Sequence, residues 1–546
     1  MQYTQTDYDS SRLIFLLKLD FHGVQYRFST IPLSFEGRDF LGTLSKIEYE
    51  ETSQLIGFNP EANSIAAAVY FPNLDMIEEY RKGRTLEGME ATVSYILEKD
   101  GTFSSEEYII LKGIIQEPII GDPLEAVGFA TFSIEQKLYD LSTPLIKNAN
   151  QINETTHPHA DESTAHGKSY PILIGKIGET TEQGNTINLF SSPTYNIKAY
   201  DVGSPAHDIE FLIAGHATAA TTAKISDGST SPITKTIERA VDANQNEYSF
   251  IDLTGESSFL YPNNTSLSNN AEHPSEFYVT LTNGGGVVNP YGNGILEGGG
   301  DIVRWALSRS DVEIDHGAFG NTSEILNEYK FCGVINDPSI TAEQFINEHI
   351  LPFLPIELAA GARGLRPILD QAVAIDSPYA VRNIIQDESF QRISPLETAT
   401  DTSQIFNAIR INYAYNTQRG DFFHSLYVGA DAIGTINSRK NLHAIASANR
   451  YGLSVMTLDA FFIYDTATAN RVAADLLRKN AFPQRKIDFE ADIEYGVLMI
   501  GDLVRLTSSS LFMDGELATV IGKKWSGTRW IFSLLFQDNP LIMERA

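Results

Sequence analysis

The densest run of metal-ligand side chains is His157-Pro158-His159-Ala160-Asp161-Glu162, followed by His166. Imidazoles with a carboxylate form a donor set that zinc or another divalent ion accepts. Pro158, however, keeps the backbone extended and denies His157 and His159 the one-turn helical spacing of a ligand pair. The run is therefore read as an exposed polar linker with its histidines in water. Asp311-Val312-Glu313-Ile314-Asp315-His316 and Asp337-Pro338-Ser339 bring carboxylates close together, as in the acid and base of a glycosidase. Alternating acidic and apolar residues are also the pattern of a strand with one solvated face, and that reading is preferred. Gly284–Gly286 and Gly298–Gly300 lack the spaced glycines and following lysine of a phosphate loop and are read as flexible turns. Cys332, beside Phe331, is read as a small core residue. G-x-S-x-G, H-E-x-x-H and Walker patterns are absent from the sequence. No catalytic, cofactor-binding or metal-binding residue is assigned, no cofactor is expected, and the chain is expected not to be an enzyme.

The elements around these residues point to several domains. A chain of 546 residues exceeds what one core organises, and 42% hydrophobic content can fill more than one. Up to about Pro144 the pattern is antiparallel β: Leu13–Leu19 and Val24–Phe28 flank His22-Gly23, Glu36-Gly37 offers a second turn, and Asp100-Gly101 closes a hairpin. Leu74–Arg81 is a short helix. A polar crossing follows, then a β-rich stretch with Asn/Gly-rich loops to about Gly300. Asp301 is read as the cap of a helix over Ile302–Ser308, and Ser339 or Thr341 as the cap of Ser339–Ile350, which Pro352 stops. Ile405–Tyr415 reads as a strand and Asp465 as the cap of Thr466–Asn480. Lys486–Ile493, Leu503–Thr507, Glu516–Lys523 and Arg529–Phe536 complete a second small barrel with that helix packed on it. The expected fold is mainly β with α+β elements. Its expected divisions are an N-terminal barrel (1–146), a linker and inserted β-rich domain (147–300), an α/β segment (301–400) and a C-terminal barrel with its helix (401–546).

The single cysteine excludes an intramolecular disulfide and a cysteine-based zinc site, so assembly in a reducing cytosol is expected. The opening residues lack the basic and apolar regions of a secretory signal, no stretch is long and apolar enough to span a bilayer, and no stable membrane association is expected. The formal net charge is −30. From Arg471 onward there are ten basic and ten acidic residues, so the first 470 carry 60 acidic against 30 basic groups. Such a surface does not attract free nucleic acid, but it lets a polyanion pass without sticking.

The run Tyr451–Ser509 has Tyr451-Gly452, a helix ending in Leu476-Leu477, the strand entry Phe482-Pro483-Gln484-Arg485, and the turn Gly501-Asp502 before Leu503-Val504. In these features it resembles the tail hub (baseplate hub) proteins of tailed bacteriophages and gene-transfer particles. Residues 298–319 look like the family's Asp-Val-containing helix, with Ile302 standing in place of Val, and residues 13–44 look like its first barrel. About half the chain is covered, and residues 180–295 match no part of the family. The resemblance implies a homotrimer in which two related barrels per subunit form a six-barrel ring fitting a six-fold tail tube or distal tail protein ring. It also implies contact with the tape-measure protein and with a central spike or fibre, DNA passing only in transit through the lumen, and a virion location at the tail tip after assembly in the host cytoplasm. The chain ends ten residues past Phe536, so a fibre is expected to be a separate protein. Two other classes fit the composition. One is a glycan- or receptor-binding adhesin, suggested by β-richness, the 24 tyrosines of the chain and the Asn/Gly-rich middle; the other is a tail-associated cell-wall hydrolase.

Overall fold

The computed structural model describes residues 12–52, 64–121, 128–136, 141–147, 150–160, 165–176, 179–182, 185–188, 197–203, 210–226, 233–254, 277–282, 285–310, 312–361, 363–371, 381–386, 390–395, 397–398, 404–416, 420–431, 438–527 and 529–537. The fold is mainly β, with one large curled sheet, several smaller sheets and a helical segment between them.

Arg12–Phe21 is buried on both faces from Leu13 to Leu17, so it must be covered twice. Phe15, Leu17 and Leu19 point into the main core, whereas Ile14 and Leu16 pack under the hairpin Leu33–Phe35/Arg38–Phe40, turned at Glu36-Gly37. The antiparallel order runs Val24–Ser29, Arg12–Phe21, Glu90–Lys99, Tyr108–Ile120, Phe129–Gln136, Ser64–Tyr70, Leu44–Thr52. This sheet curls back on itself, because Phe28 bridges Leu41, whose N–H donates to the Arg27 carbonyl at 2.8 Å just before Leu44–Thr52 begins. His22-Gly23 and Asp100-Gly101 make the expected turns, each pair with positive φ at both residues.

The C-terminal strands Leu503–Ser508, Met513–Trp525, Trp530–Gln537 and Gln484–Ala491 form near their expected bounds. They do not stand apart. The far end of Met513–Trp525 pairs Gly522 with Thr52 and Lys524 with Glu50, so fifteen strands from both ends of the chain make one sheet. The two ends also share one core, in which Trp530 is fully buried between Tyr49 and Tyr95.

Residues 197–282 carry a seven-strand order that returns to its start. The outermost strands, Ile233–Thr236 and Glu238–Val241, are two halves of one bent strand separated only by Ile237. Inside lie Ile213, Ala223, Ile225, Ile251, Val279 and Leu281, all without exposed surface. Cys332 joins this core, and Val334 and Tyr464 pack against it, so residues outside the expected inserted region help to close it.

Between these sheets lies the helical segment. Helix α1 (Met76–Arg81) belongs to the N-terminal region and is capped by Asp75. Helix α2 (Gly299–Leu307) starts earlier than its sequence pattern suggested. Gly298 is its N-cap, and Asp301 sits in the first turn, where its Oδ2 accepts from Asn289 and Asn327 at 2.8 and 2.9 Å. Helix α3 (His316–Leu326) has too few apolar positions to show a helical stripe in the sequence, and only Phe319 and Leu326 are buried. The Ser339–Ile350 pattern resolves into α4 (Ala342–Phe345), closed by a Thr341/Gln344 capping box, then a π-helical turn Ile346–Ile350 and a 3-10 turn Leu351–Phe353. Pro352 does not stop the chain turning but sits inside that last turn, where its missing N–H has no carbonyl to meet.

Strands Ala408–Asn416 and Asp421–Gly429, with Ser438–Lys440 and Val455–Asp459 beside them, form a separate four-stranded sheet. Helices α5 (Leu442–Tyr451) and α6 (Thr466–Asn480) accompany it. The expected packing of α6 on the C-terminal strands is not what forms: Ala469, Val472, Ala473 and Leu477 join the core of the four-stranded sheet and α2. Asp465 caps α6 as anticipated, accepting from the Thr468 N–H at 2.7 Å and its hydroxyl at 2.8 Å. Asp465→Ala is expected to cost about 1–2 kcal/mol, read as a lower midpoint in urea; an unchanged midpoint would show the cap to be dispensable.

Candidate functional site

The described histidines of the run sit in different surroundings. His157 is 4% exposed, against the expectation of histidines in water. Its Nδ1 lies 3.2 Å from the Tyr170 hydroxyl, which donates to Asp242 at 2.7 Å, and its ring packs edge-on against Tyr248. Burial drives its pKa down to about 4 against the pull of the Asp242 carboxylate, so the ring is neutral and structural. His159 is exposed, His166 is half-buried, and Asp161 lies outside the described residues. Among the described residues no group of three or more His, Cys, Asp or Glu is placed to hold a metal ion.

Two of these carboxylates, Asp315 and Asp337, serve local structure. Asp337 accepts from the N–H and hydroxyl of Ser339, and Asp315 caps α3, so the alternating stretch is a helix entry and not a strand. Arg304 Nε donates to His316 Nδ1 at 2.8 Å. Asp311 lies outside the described residues. Cys332 is buried, with its thiol 3.2 Å from the Lys176 carbonyl and its pKa pushed up by burial, as fits a core residue.

The glycine runs are corrected from flexible turns to tight packing sites. A Cβ on Gly299 would stand 2.6 Å from Leu354 Cδ2, and one on Gly298 would strike Asn327. A Cβ on Gly286 would lie 2.1 Å from the Leu173 carbonyl oxygen, a backbone atom that cannot swing aside. Gly284 is outside the described residues. Gly286→Ala is expected to cost about 1–3 kcal/mol through overpacking, seen as a lower melting temperature. A variant as stable as the parent would mean that the backbone yields freely.

The geometry does gather titratable groups at one place, which the sequence pattern did not indicate. A cavity of about 810 Å³ opens where the hairpin Ile356–Gly361/Gly364–Leu369, helix α6 and the C-terminal strands meet. Lys479 of α6 donates to Glu357 and to Asp370, each at 3.1 Å. Asp475, one turn earlier, accepts from the Tyr329 hydroxyl at 2.5 Å. Burial raises Glu357 to about 7, with Lys479 opposing and Asp370 adding to the rise. Burial likewise raises Asp475 to about 6, against the Tyr329 hydrogen bond and Arg478. Burial works against the charge on Lys479, but Asp370 and Glu357 outweigh it and hold the ammonium protonated. Across the cleft, Gln371 Nε2 donates to Thr519 Oγ1 at 2.8 Å and to the Leu535 carbonyl at 2.6 Å, tying hairpin to sheet. This arrangement can hold an apolar group and a positive charge. It contains no nucleophile–base pair.

Residues 439–520 match a family model described as a putative phage tail protein. Among curated proteins, none matches this chain. Of solved structures, the tail protein from Neisseria meningitidis MC58 aligns over 95% of this chain and 96% of its own, at 11% identity and a TM-score of 0.35. The 43 kDa tail protein of prophage MuSo2 from Shewanella oneidensis aligns over 96% and 98%, at 8% identity and a TM-score of 0.31. A chain from the virion of a native gene transfer agent particle aligns over 44% and 79%, at 13% identity and a TM-score of 0.18. The segment comprising α5, Val455–Asp459, α6, Gln484–Ala491 and Leu503–Ser508, together with the start of Met513–Trp525, is thus similar to a family of putative phage tail proteins.

Proposed function

We propose that this chain is a structural hub protein at the tail tip of a tailed phage particle. Three copies form a ring that joins the six-fold tail tube, or the distal tail protein ring, to a spike or fibre and meets the tape-measure protein. DNA crosses the lumen only in transit, and the ring assembles in the host cytoplasm without stable membrane association. The division at residues 146, 300 and 400 belongs to the same proposal, with the one sheet that the two ends share supplying the wall of the ring. No residue is given a catalytic, metal or cofactor role.

One observation carries this reading: the family match at residues 439–520 overlaps the stretch 451–509, whose leucine pair, Pro-containing strand entry and Gly-Asp turn resemble the tail hub proteins. The charge supports a passive conduit, since surplus carboxylates on a channel wall repel phosphates and leave DNA free to slide.

Light scattering on the purified full chain tests the ring. A mass three times the 60.4 kDa of one chain is expected, with a three-fold ring in negative-stain images. A stable monomer would contradict the ring and favour the adhesin or the hydrolase, which glycan binding and zymography would then separate. A basic lumen in the imaged ring would contradict the conduit.

A further inference from the structure

The cavity beside Lys479, about 810 Å³, is open to solvent and falls in the range of clefts that hold a ligand or a side chain. Its walls are mostly apolar and include Phe353, Phe406, Leu476, Phe482, Ile521 and Leu535. Its polar groups are one-sided. Glu357, Asp370 and Asp475 set three carboxylates against one lining ammonium, Lys479, with Arg478 reaching Asp475 at 3.5 Å. Two lining side chains have an atom with no hydrogen-bond partner, Asn347 Oδ1, which is an acceptor, and Glu357 Oε2, which is one when the carboxyl is ionised. Asn347 belongs to the π-helical turn Ile346–Ile350, a type of irregularity that recurs at binding sites because it redirects side chains.

Spare acceptors and surplus negative charge in an apolar wall select the occupant. An anion is repelled, a purely apolar group leaves the acceptors unpaired, and a cation on an apolar stem answers both. We infer that this cleft is a docking site for a segment of a different protein chain in which one lysine or arginine stands among apolar residues. The ammonium or guanidinium lies beside Glu357 and Asp370, and the stem runs along Phe353 and Leu476. A second copy of this chain is a poorer match, because a surface with 70 acidic against 40 basic residues is repelled by the same carboxylates. The inference rests on the tail reading only for where such a partner is found.

The chemistry is tested on the full chain by titration calorimetry with n-hexylammonium chloride, 1-hexanol and sodium hexanoate. Hexylammonium is expected to bind saturably and about tenfold or more tighter than hexanol, with hexanoate not binding. Glu357→Gln and Asn347→Leu are each expected to weaken hexylammonium by about fivefold, with circular dichroism confirming the fold. Leu476→Trp, which fills the cleft, is expected to remove binding of both hexylammonium and hexanol. Because burial raises Glu357 to about 7 and Asp475 to about 6 while a bound cation favours their ionised forms, cation binding is expected to release protons and tighten as pH rises from about 5 to about 8. No saturable hexylammonium binding, or hexanol binding equally well, overturns the inference. Self-association that hexylammonium and Leu476→Trp both abolish assigns the cleft to a second copy and overturns the foreign partner. A ring-forming chain that fails to bind hexylammonium sinks the docking site and leaves the hub reading standing, and a monomer that binds it does the reverse.

Discussion

Trp530→Ala is expected to remove about 3–5 kcal/mol of stability, the range for truncating a fully buried large aromatic. The ring has no exposed surface and lies at the junction of the strands from the two ends of the chain. Tyr49 and Tyr95 of the N-terminal strands approach it at 6.0 and 6.1 Å, Trp525 at 4.9 Å, and the Lys523 ammonium sits 4.5 Å over its face. Gly496 fits against the indole so closely that a Cβ there would meet Nε1 at 2.5 Å, so the neighbours cannot easily collapse into the void. Urea unfolding followed by circular dichroism reads the loss, and the N- and C-terminal strands should unfold together because they share this core. A loss below about 1 kcal/mol, or two separated transitions with the N-terminal one unmoved, would contradict a shared core.

Lys479→Met is the second large effect. The change keeps the apolar stem but leaves Glu357 and Asp370 without their shared cation in a mostly buried setting, which costs about 3–5 kcal/mol near neutral pH. The deficit should shrink in acid. Glu357 stands at about 7 in the fold against an ordinary 4.5, so it binds a proton more tightly folded than unfolded. Its contribution is fully present below about pH 4.5 and is lost as pH rises through about 7. Asp475 behaves in the same sense, between its ordinary 3.8 and about 6. The parent should therefore gain stability from these two groups as pH falls through this window, and Glu357→Gln should flatten the Glu357 part of that slope. Denaturation midpoints of the parent, Lys479→Met and Glu357→Gln across pH 4.5 to 8 decide the matter. A deficit in Lys479→Met that does not change with pH would rule out buried carboxylates as its cause.

Strand positions near either end were legible from the sequence because they depend on two-residue alternation and on turn pairs such as Asp100-Gly101, both local signals. The Asp465 cap was legible for the same reason, since a side chain three residues from its N–H partner needs no tertiary context. The burial of His157 was not legible. The tyrosines that enclose it, Tyr170 and Tyr248, arrive from a later segment and from the middle sheet, while Pro158 spoke only for an extended backbone. The glycines at 298–300 read as loose because a sequence shows the missing side chain but not the Asn327, Leu326 and Leu354 atoms that occupy its place.

The cleft lay furthest from view. Glu357, Asp370 and Lys479 are unremarkable charges in the chain, more than a hundred positions apart across the pair that matters, and no spacing rule links them. By itself the sequence determined the β-rich class, the turns and caps, the charge imbalance and the family-like order near the C-terminus, all properties of neighbours along the chain. Tertiary structure alone decided that both ends build one sheet around Trp530, that α6 packs on the four-stranded sheet, and that one lysine faces two buried carboxylates. Those outcomes depend on which apolar faces meet, and burial sets the cost of each charge only after the faces have closed.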